Sequence, residues 1–267
     1  MSVSPHADRF LLKGALLFSL WYDRPHRPTR DADLLGFGPD DADHLVATFR
    51  EIAAIELDDG FAFDAQSVQA QPIREDNFYG GTRVRLAGYV GRARAALQID
   101  VGFGDAVTPG PETVVFPTLL DDFQPMTLRA CPVYTVVAEK YHAMVVLGLA
   151  NSRMKDFYDL AVIAARTGLD GAMLAKAIDA TFARRATSLP NEPPMALTDA
   201  FANDAAKQRQ WQAFLGKNRL TAAGLAQTVN LLHALLWPPT QVAREGTKAT
   251  ADWSPEHQMW TAPGSGR

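Results

Sequence analysis

Cysteine is almost missing from this sequence. Cys131 stands alone, so neither an internal disulfide nor a Cys-based zinc site is available, and a reducing cytoplasm is the compartment that fits. Basic residues are not in excess either. The chain has 26 Lys plus Arg against 30 Asp plus Glu, a net charge of −4 with His neutral. That excludes a broadly basic nucleic-acid coat and leaves any polyanion binding to local clusters. No stretch reaches about 18 uninterrupted apolar residues. The start, Met1-Ser2-Val3-Ser4-Pro5-His6, has no basic segment followed by an apolar run, so secretion by a signal peptide and membrane spanning are not expected. No repeat recurs at a period of about 20 to 50 residues. What is present is 267 residues, 47% of them apolar, enough for a buried core in one large or two small domains.

The first half alternates short β-rich runs with helical ones, and the second half, from about Thr135, reads as successive helices. The expected fold class is therefore α+β (mixed α/β): a mixed-sheet domain over 1–132, a helical domain over 133–237 and an irregular C-terminal tail over 238–267. Phe10 to Lys13 reads as a strand ending at Gly14, and Ala15 to Tyr22 as a helix stopped by Pro25. Asp31 to Phe37 suits a second strand, with Asp40 as cap for a helix over 41–54. Thr82 to Val90, Gly91-Arg92 and Ala95 to Gly102 form a hairpin pattern. Four prolines between Val107 and Arg129 suggest loops and short strands. Helices are expected from Thr135 to Leu149, Arg153 to Thr167, Asp170 to Ala183, Asp204 to Lys217 and Thr221 to Leu236.

The chemistry concentrates at Asp31 and Asp33. Two residues apart on a strand, their carboxylates project from one face, about 7 Å apart along the backbone. Asp100 interrupts the apolar strand Leu97 to Gly102 and is costly there unless paired or bound to metal. Three convergent carboxylates make a Mg²⁺ site suited to phosphoryl transfer. Lys13-Gly14-Ala15 lies upstream on a strand-to-helix turn whose free N–H groups can face a phosphate. Arg24, Arg27 and Arg30 add positive charge beside it.

Taken in order, Leu12-Lys13-Gly14-Ala15-Leu16-Leu17, Thr29-Arg30-Asp31-Ala32-Asp33-Leu34, Ile99-Asp100-Val101, Glu139-Lys140 and Arg153-Met154-Lys155-Asp156-Phe157-Tyr158-Asp159-Leu160 resemble the AbiEii/AbiGii nucleotidyltransferase toxin family, over about Phe10 to Val162. The resemblance implies a nucleotidyltransferase of the DNA polymerase β-like superfamily, acting as the toxin of a type IV toxin–antitoxin or abortive-infection pair with a cognate antitoxin. It places the turn glycine at Gly14, the paired acids at Asp31 and Asp33, the later lysine at Lys140 and the helix aspartate at Asp156. Ala15 stands where the superfamily commonly has serine or glycine, so a hydroxyl contact to phosphate is missing. The implied reaction moves a nucleoside monophosphate from a nucleoside triphosphate to an acceptor hydroxyl, with RNA such as the tRNA 3′ end as acceptor. Lys140 would neutralise phosphate charge on a flexible stem, with Lys13 and Arg30 as further phosphate contacts.

Plainer readings stand beside these. Asp100 could pair with Arg85 or Arg94 across the hairpin, and Asp159 could anchor its helix. His142 reads as a satisfied side chain and Cys131 as a small buried residue. A small-molecule nucleotidyltransferase would share Asp31 and Asp33, and a non-catalytic scaffold that binds nucleotide or a partner would need neither.

Overall fold

The computed structural model describes residues 1–22, 27–73, 80–118, 123–248 and 251–262. The chain divides into two compact units, Met1–Asp105 with Pro111–Cys131, and Ala106–Gly110 with Pro132–Arg267.

In the first unit, β1 (Phe10–Lys13) enters a 3₁₀ turn at Gly14 and continues as α1 (Leu17–Tyr22). Then come β2 (Ala32–Gly36), α2 (Ala42–Ala53), β3 (Phe61–Pro72), β4 (Gly81–Val90), β5 (Ala93–Phe103), β6 (Glu112–Phe116) and β7 (Met126–Ala130). They form a mixed sheet ordered β3-β4-β5-β2-β1-β7-β6, parallel between β2 and β5 and between β1 and β7. The central strands are apolar on both faces, as Leu11, Leu12, Leu34 and Leu35 are all buried, the pattern of a covered sheet. Outer β4 instead alternates: Thr82, Val84 and Leu86 are buried, whereas Arg83 is half-buried and Arg85 exposed. Asp41 rather than Asp40 caps α2, accepting from the His44 N–H at 2.8 Å. The proline-rich stretch holds the antiparallel pair β6–β7 at the sheet edge.

The second unit contains α3 (Val133–Leu147), α4 (Met154–Arg166), β8 (Leu169–Asp170), α5 (Gly171–Arg184), α6 (Asp199–Ala202), α7 (Ala205–Asn218), α8 (Leu225–Glu245), β9 (Asp252–Ser254) and β10 (Met259–Thr261). The apolar stretch 133–150 is long enough by composition to cross a membrane, but here α3 packs on α5. Asp170 and Asp204 cap α5 and α7 through the N–H groups of Met173 and Lys207. Thr135 does not cap α3. Pro132 stands at that cap, and the Thr135 hydroxyl binds the Thr108 main chain, accepting from its N–H at 2.9 Å and donating to its carbonyl at 3.2 Å.

The chain after Pro238 also differs from expectation. Residues 238–267 do not begin an irregular tail: α8 runs through Pro238 and Pro239 to Glu245, and β8, β9 and β10 form a small antiparallel sheet. Proline has no N–H for the carbonyl four residues back, so Pro238 leaves the Ala234 carbonyl without its helical donor. The Trp260 indole N–H fills that place at 2.9 Å. Trp253, 2% exposed, likewise donates to the Ala164 carbonyl in the last turn of α4 at 2.7 Å. Both indoles serve as internal hydrogen-bond donors.

Candidate active site

The first constellation grows from the central strands of the first unit. Pairing β1 with β2 and β2 with β5 sets Lys13 opposite Asp33 and Asp33 opposite Asp100. The β4–β5 register sets Asp100 opposite Arg83. Residues opposite one another share a face, so Lys13, Asp33, Asp100 and Arg83 form one polar row across four strands.

Gly14 turns out of this row with φ +72°, a conformation glycine adopts without steric cost. A Cβ at Gly14 would stand 1.9 Å from Asp33 Oδ2 and 2.7 Å from Asp33 Cβ. The Asp33 side chain is thus lodged against bare backbone, and no other residue fits at 14. Asp31 lies in the bend just before β2 rather than on the strand, and both acids are half-buried. Ala15 is buried at the turn. Arg30 is exposed, Arg27 donates to the Pro28 carbonyl at 3.5 Å, and Arg24 falls outside the described residues.

Asp100 and Lys13 are both engaged by residues other than those expected. Asp100 is gripped by Arg83, whose Nε and terminal nitrogen donate to its two oxygens at 2.9 and 2.8 Å. The hairpin partner is therefore Arg83, not Arg85 or Arg94. Among the described residues no group of three or more His, Cys, Asp or Glu side chains is arranged to hold a metal ion, so a ready-made three-acid site is not assembled. Lys13 donates to Asp105 Oδ2 at 2.8 Å.

The second constellation lies within the helical unit. Lys140 on α3 donates to Asp156 Oδ1 and Asp159 Oδ2 on α4, each at 2.7 Å, and Arg153 Nε donates to Asp156 Oδ2 at 2.7 Å. The two carboxylates, three residues apart, sit on one helical face, and both are 0% exposed. Burial by itself pulls the Lys140 ammonium toward the neutral form, but Asp156 and Asp159 outweigh it and hold its pKa above that of an ordinary lysine. Burial likewise pushes Asp156 up, while Lys140 and Arg153 bring its net pKa below the usual carboxylate range. The Lys140 amine is therefore a charged group pinned at two points, not a flexible stem. Asp159 shares it equally with Asp156. The signal for this was the spacing of three between the aspartates. His142 is buried, with Nε2 2.9 Å from the Thr187 hydroxyl, and Cys131 is buried.

The model of the family described as nucleotidyl transferase AbiEii toxin, type IV TA system, matches residues 1–226. No match to the sequence was found among curated proteins. Among solved structures, JHP933 from Helicobacter pylori is 15% identical, covering 90% of this chain and 86% of its own with a TM-score of 0.48. A candidate nucleotidyltransferase from H. pylori, also 15% identical, covers 90% and 89% with a TM-score of 0.44.

Proposed function

The chain belongs to the AbiEii nucleotidyltransferase toxin family of type IV toxin–antitoxin systems, and from that premise we propose that it moves a nucleoside monophosphate from a nucleoside triphosphate to an RNA hydroxyl, such as the tRNA 3′ end. The family implies a cognate antitoxin and a nucleotide substrate. The observation that carries the reading is the Asp33 carboxylate seated on Gly14 in a polar row with Lys13 and Asp100. A side chain at 14 would fill the space that Asp33 occupies.

Hard carboxylate oxygens at Asp31 and Asp33, with no soft ligand beside them in sequence, suit Mg²⁺. These two residues would hold the ion, and Asp100 would join them only by exchanging part of its bond to Arg83. When bound, Mg²⁺ would screen the phosphates and favour ionisation of the acceptor hydroxyl. The backbone N–H groups of Gly14 and Ala15 would donate to the phosphates, and the exposed Arg30 would add a guanidinium. Lys13, in the same row as Asp33, adds an ammonium.

Within the helical unit, Lys140 is the reactive-site lysine that the family resemblance implies, its ammonium oriented in advance by Asp156 and Asp159. Asp156 orients that ammonium, and Lys140 together with Arg153 keeps Asp156 ionised. No covalent enzyme intermediate is required. The cytoplasm, where nucleotide and RNA are found together, is the compartment this reading requires.

Transfer of label from each of the four nucleoside triphosphates to total cellular RNA tests the reading. Asp33→Ala and Lys140→Ala are each expected to abolish labelling that the wild type performs. Equal labelling by all three proteins would overturn the assignment. Labelling of an aminoglycoside instead of RNA would move it to the small-molecule class.

A further inference from the structure

The polar row at Asp33 does not end at the candidate site. Strand pairing carries the same face outward along β4 and β5, where Arg85 stands opposite Gln98, Ala87 opposite Ala96, and Tyr89 opposite Arg94. On β3, Gln71 lies opposite Arg83 and Gln69 opposite Arg85. Because side chains two apart share a face, Arg85, Tyr89 and Arg94 project to the side that carries Asp33 and Asp100. The alternate residues Val84 and Leu86 are buried with Val68, the side on which α2 packs against β3 and β4.

The outward face is exposed at its arginines and glutamines, and among the described residues its one acid beyond the row is Asp64, opposite Ala87 and turned to the Gln66 and Ser67 N–H groups. Arg85, Arg94, Gln69 and Gln71 are exposed and Tyr89 is half-buried. Arg83 is spent on Asp100, whereas Arg85 only reaches Gln98 Oε1 at 3.5 Å. Among the described residues no carboxylate lies within ion-pairing distance of Arg85 or Arg94. Two guanidiniums without acidic partners therefore share one sheet face in a protein whose net charge is −4. At about 3.3 Å per residue, Arg85 stands about 7 Å along the strands from the Asp33–Asp100 row, and Arg94 about 20 Å. Between them Ala96 is exposed, whereas Ala87 is only 2% exposed, so a chain laid along the face would run over the β5 side of the strip.

We propose that this face of β4 and β5 is the track on which the acceptor RNA strand lies, with Arg85 and Arg94 holding successive parts of its phosphate backbone and Tyr89 offering a ring for a base. The inference rests on the RNA reading above and adds the surface that reading needs. Guanidinium forks match phosphate oxygens in pairs, and an aromatic ring beside a basic strip is how sequence-tolerant single-strand binding is built. The chemistry suits a flexible polyanion better than an acidic protein surface, because the glutamines and the tyrosine can serve sugars and bases alike.

The test compares wild type, Arg85→Gln/Arg94→Gln and Arg50→Gln, whose arginine is on α2 against the opposite face. Steady-state label transfer to total cellular RNA is measured across a salt series, together with binding of a uniform single-stranded RNA 20-mer. The double variant is expected to raise KM for RNA at least tenfold, with kcat and the KM for the nucleotide unchanged. The slope of log affinity against log salt should flatten by about 1.4, since each phosphate that a single strand no longer has neutralised accounts for about 0.7. Arg50→Gln should match wild type. Unchanged RNA KM and salt slope in the double variant, while wild type labels RNA, would overturn the track and leave the RNA reading standing. Loss of antitoxin binding with RNA kinetics intact would also overturn it, reassigning the face to the protein partner. If wild type labels no RNA at all, both fall together.

Discussion

Replacing Gly14 with alanine isolates the contact on which the site is built. The new methyl carbon would stand 1.9 Å from Asp33 Oδ2, 2.6 Å from Cγ and 2.7 Å from Cβ. Swinging the carboxylate aside does not relieve the clash, because the Asp33 Cβ itself is too close. Ordinary carbon–carbon contact is about 3.5 to 4.0 Å, so the turn and β2 must part by on the order of 1 Å. The φ of +72° adds about 1 to 2 kcal/mol for any residue with a side chain. A misplacement of about 1 Å at a reacting centre costs on the order of 100-fold in rate. Gly60 provides the control: its φ is +75° and nothing lies within 4 Å of its added Cβ. Gly60→Ala therefore carries the same backbone strain with no displaced carboxylate. In label transfer and thermal melts, both variants should lose about 2 to 4 °C per kcal/mol of strain, but only Gly14→Ala should lose about 100-fold in kcat. A Gly14→Ala protein within a few-fold of wild-type activity would refute the idea that this close packing sets the position of Asp33.

Two further outcomes concern the helical unit. Asp156 has a lowered pKa, so its contribution to stability is complete above the ordinary carboxylate value of about 4 and is lost as pH falls through the lower folded value. The raised Lys140 contributes fully below about 10.5, the ordinary lysine value, and is lost above it. Asp156→Asn should cost about 3 to 5 kcal/mol at pH 7 and flatten the fall of urea midpoints below about pH 4; acid slopes parallel to wild type would refute the pairing. Trp260→Phe should cost about 1 to 3 kcal/mol by leaving the Ala234 carbonyl without a donor. Pro238→Ala, which restores a main-chain N–H, should recover about 1 kcal/mol more in that background than in wild type; simple additivity of the two changes would refute the exchange of donors.

Much of the sheet unit was legible because its signals are local. Phe10–Lys13, Gly14 and Ala32–Gly36 emerge where apolar runs and breakers place them. The Asp100 partner was also within reach. The two-residue turn Gly91-Arg92 fixes the hairpin register, and counting outward from Val90 opposite Ala93 leads to Arg83 rather than Arg85. The fit of Asp33 on Gly14 was not legible, since it depends on how a turn and a neighbouring strand meet in space. The double grip on Lys140 was half legible: the spacing puts Asp156 and Asp159 on one face of α4, but nothing local says that α3 presents a lysine to it. The course of α8 was hidden, because prolines signal an ending unless a donor arrives from elsewhere, and Trp260 lies 22 residues beyond Pro238.

That borrowed donor bears on the order in which the protein matures. As the polypeptide leaves the ribosome, the carbonyls of Ala164 and Ala234 emerge well before Trp253 and Trp260 do. Until then the helical unit lacks the two indoles that complete its main-chain bonding. Lys140 and the aspartates that grip it belong to that same unit, so the body that carries them is completed by strands that follow its helices in the chain.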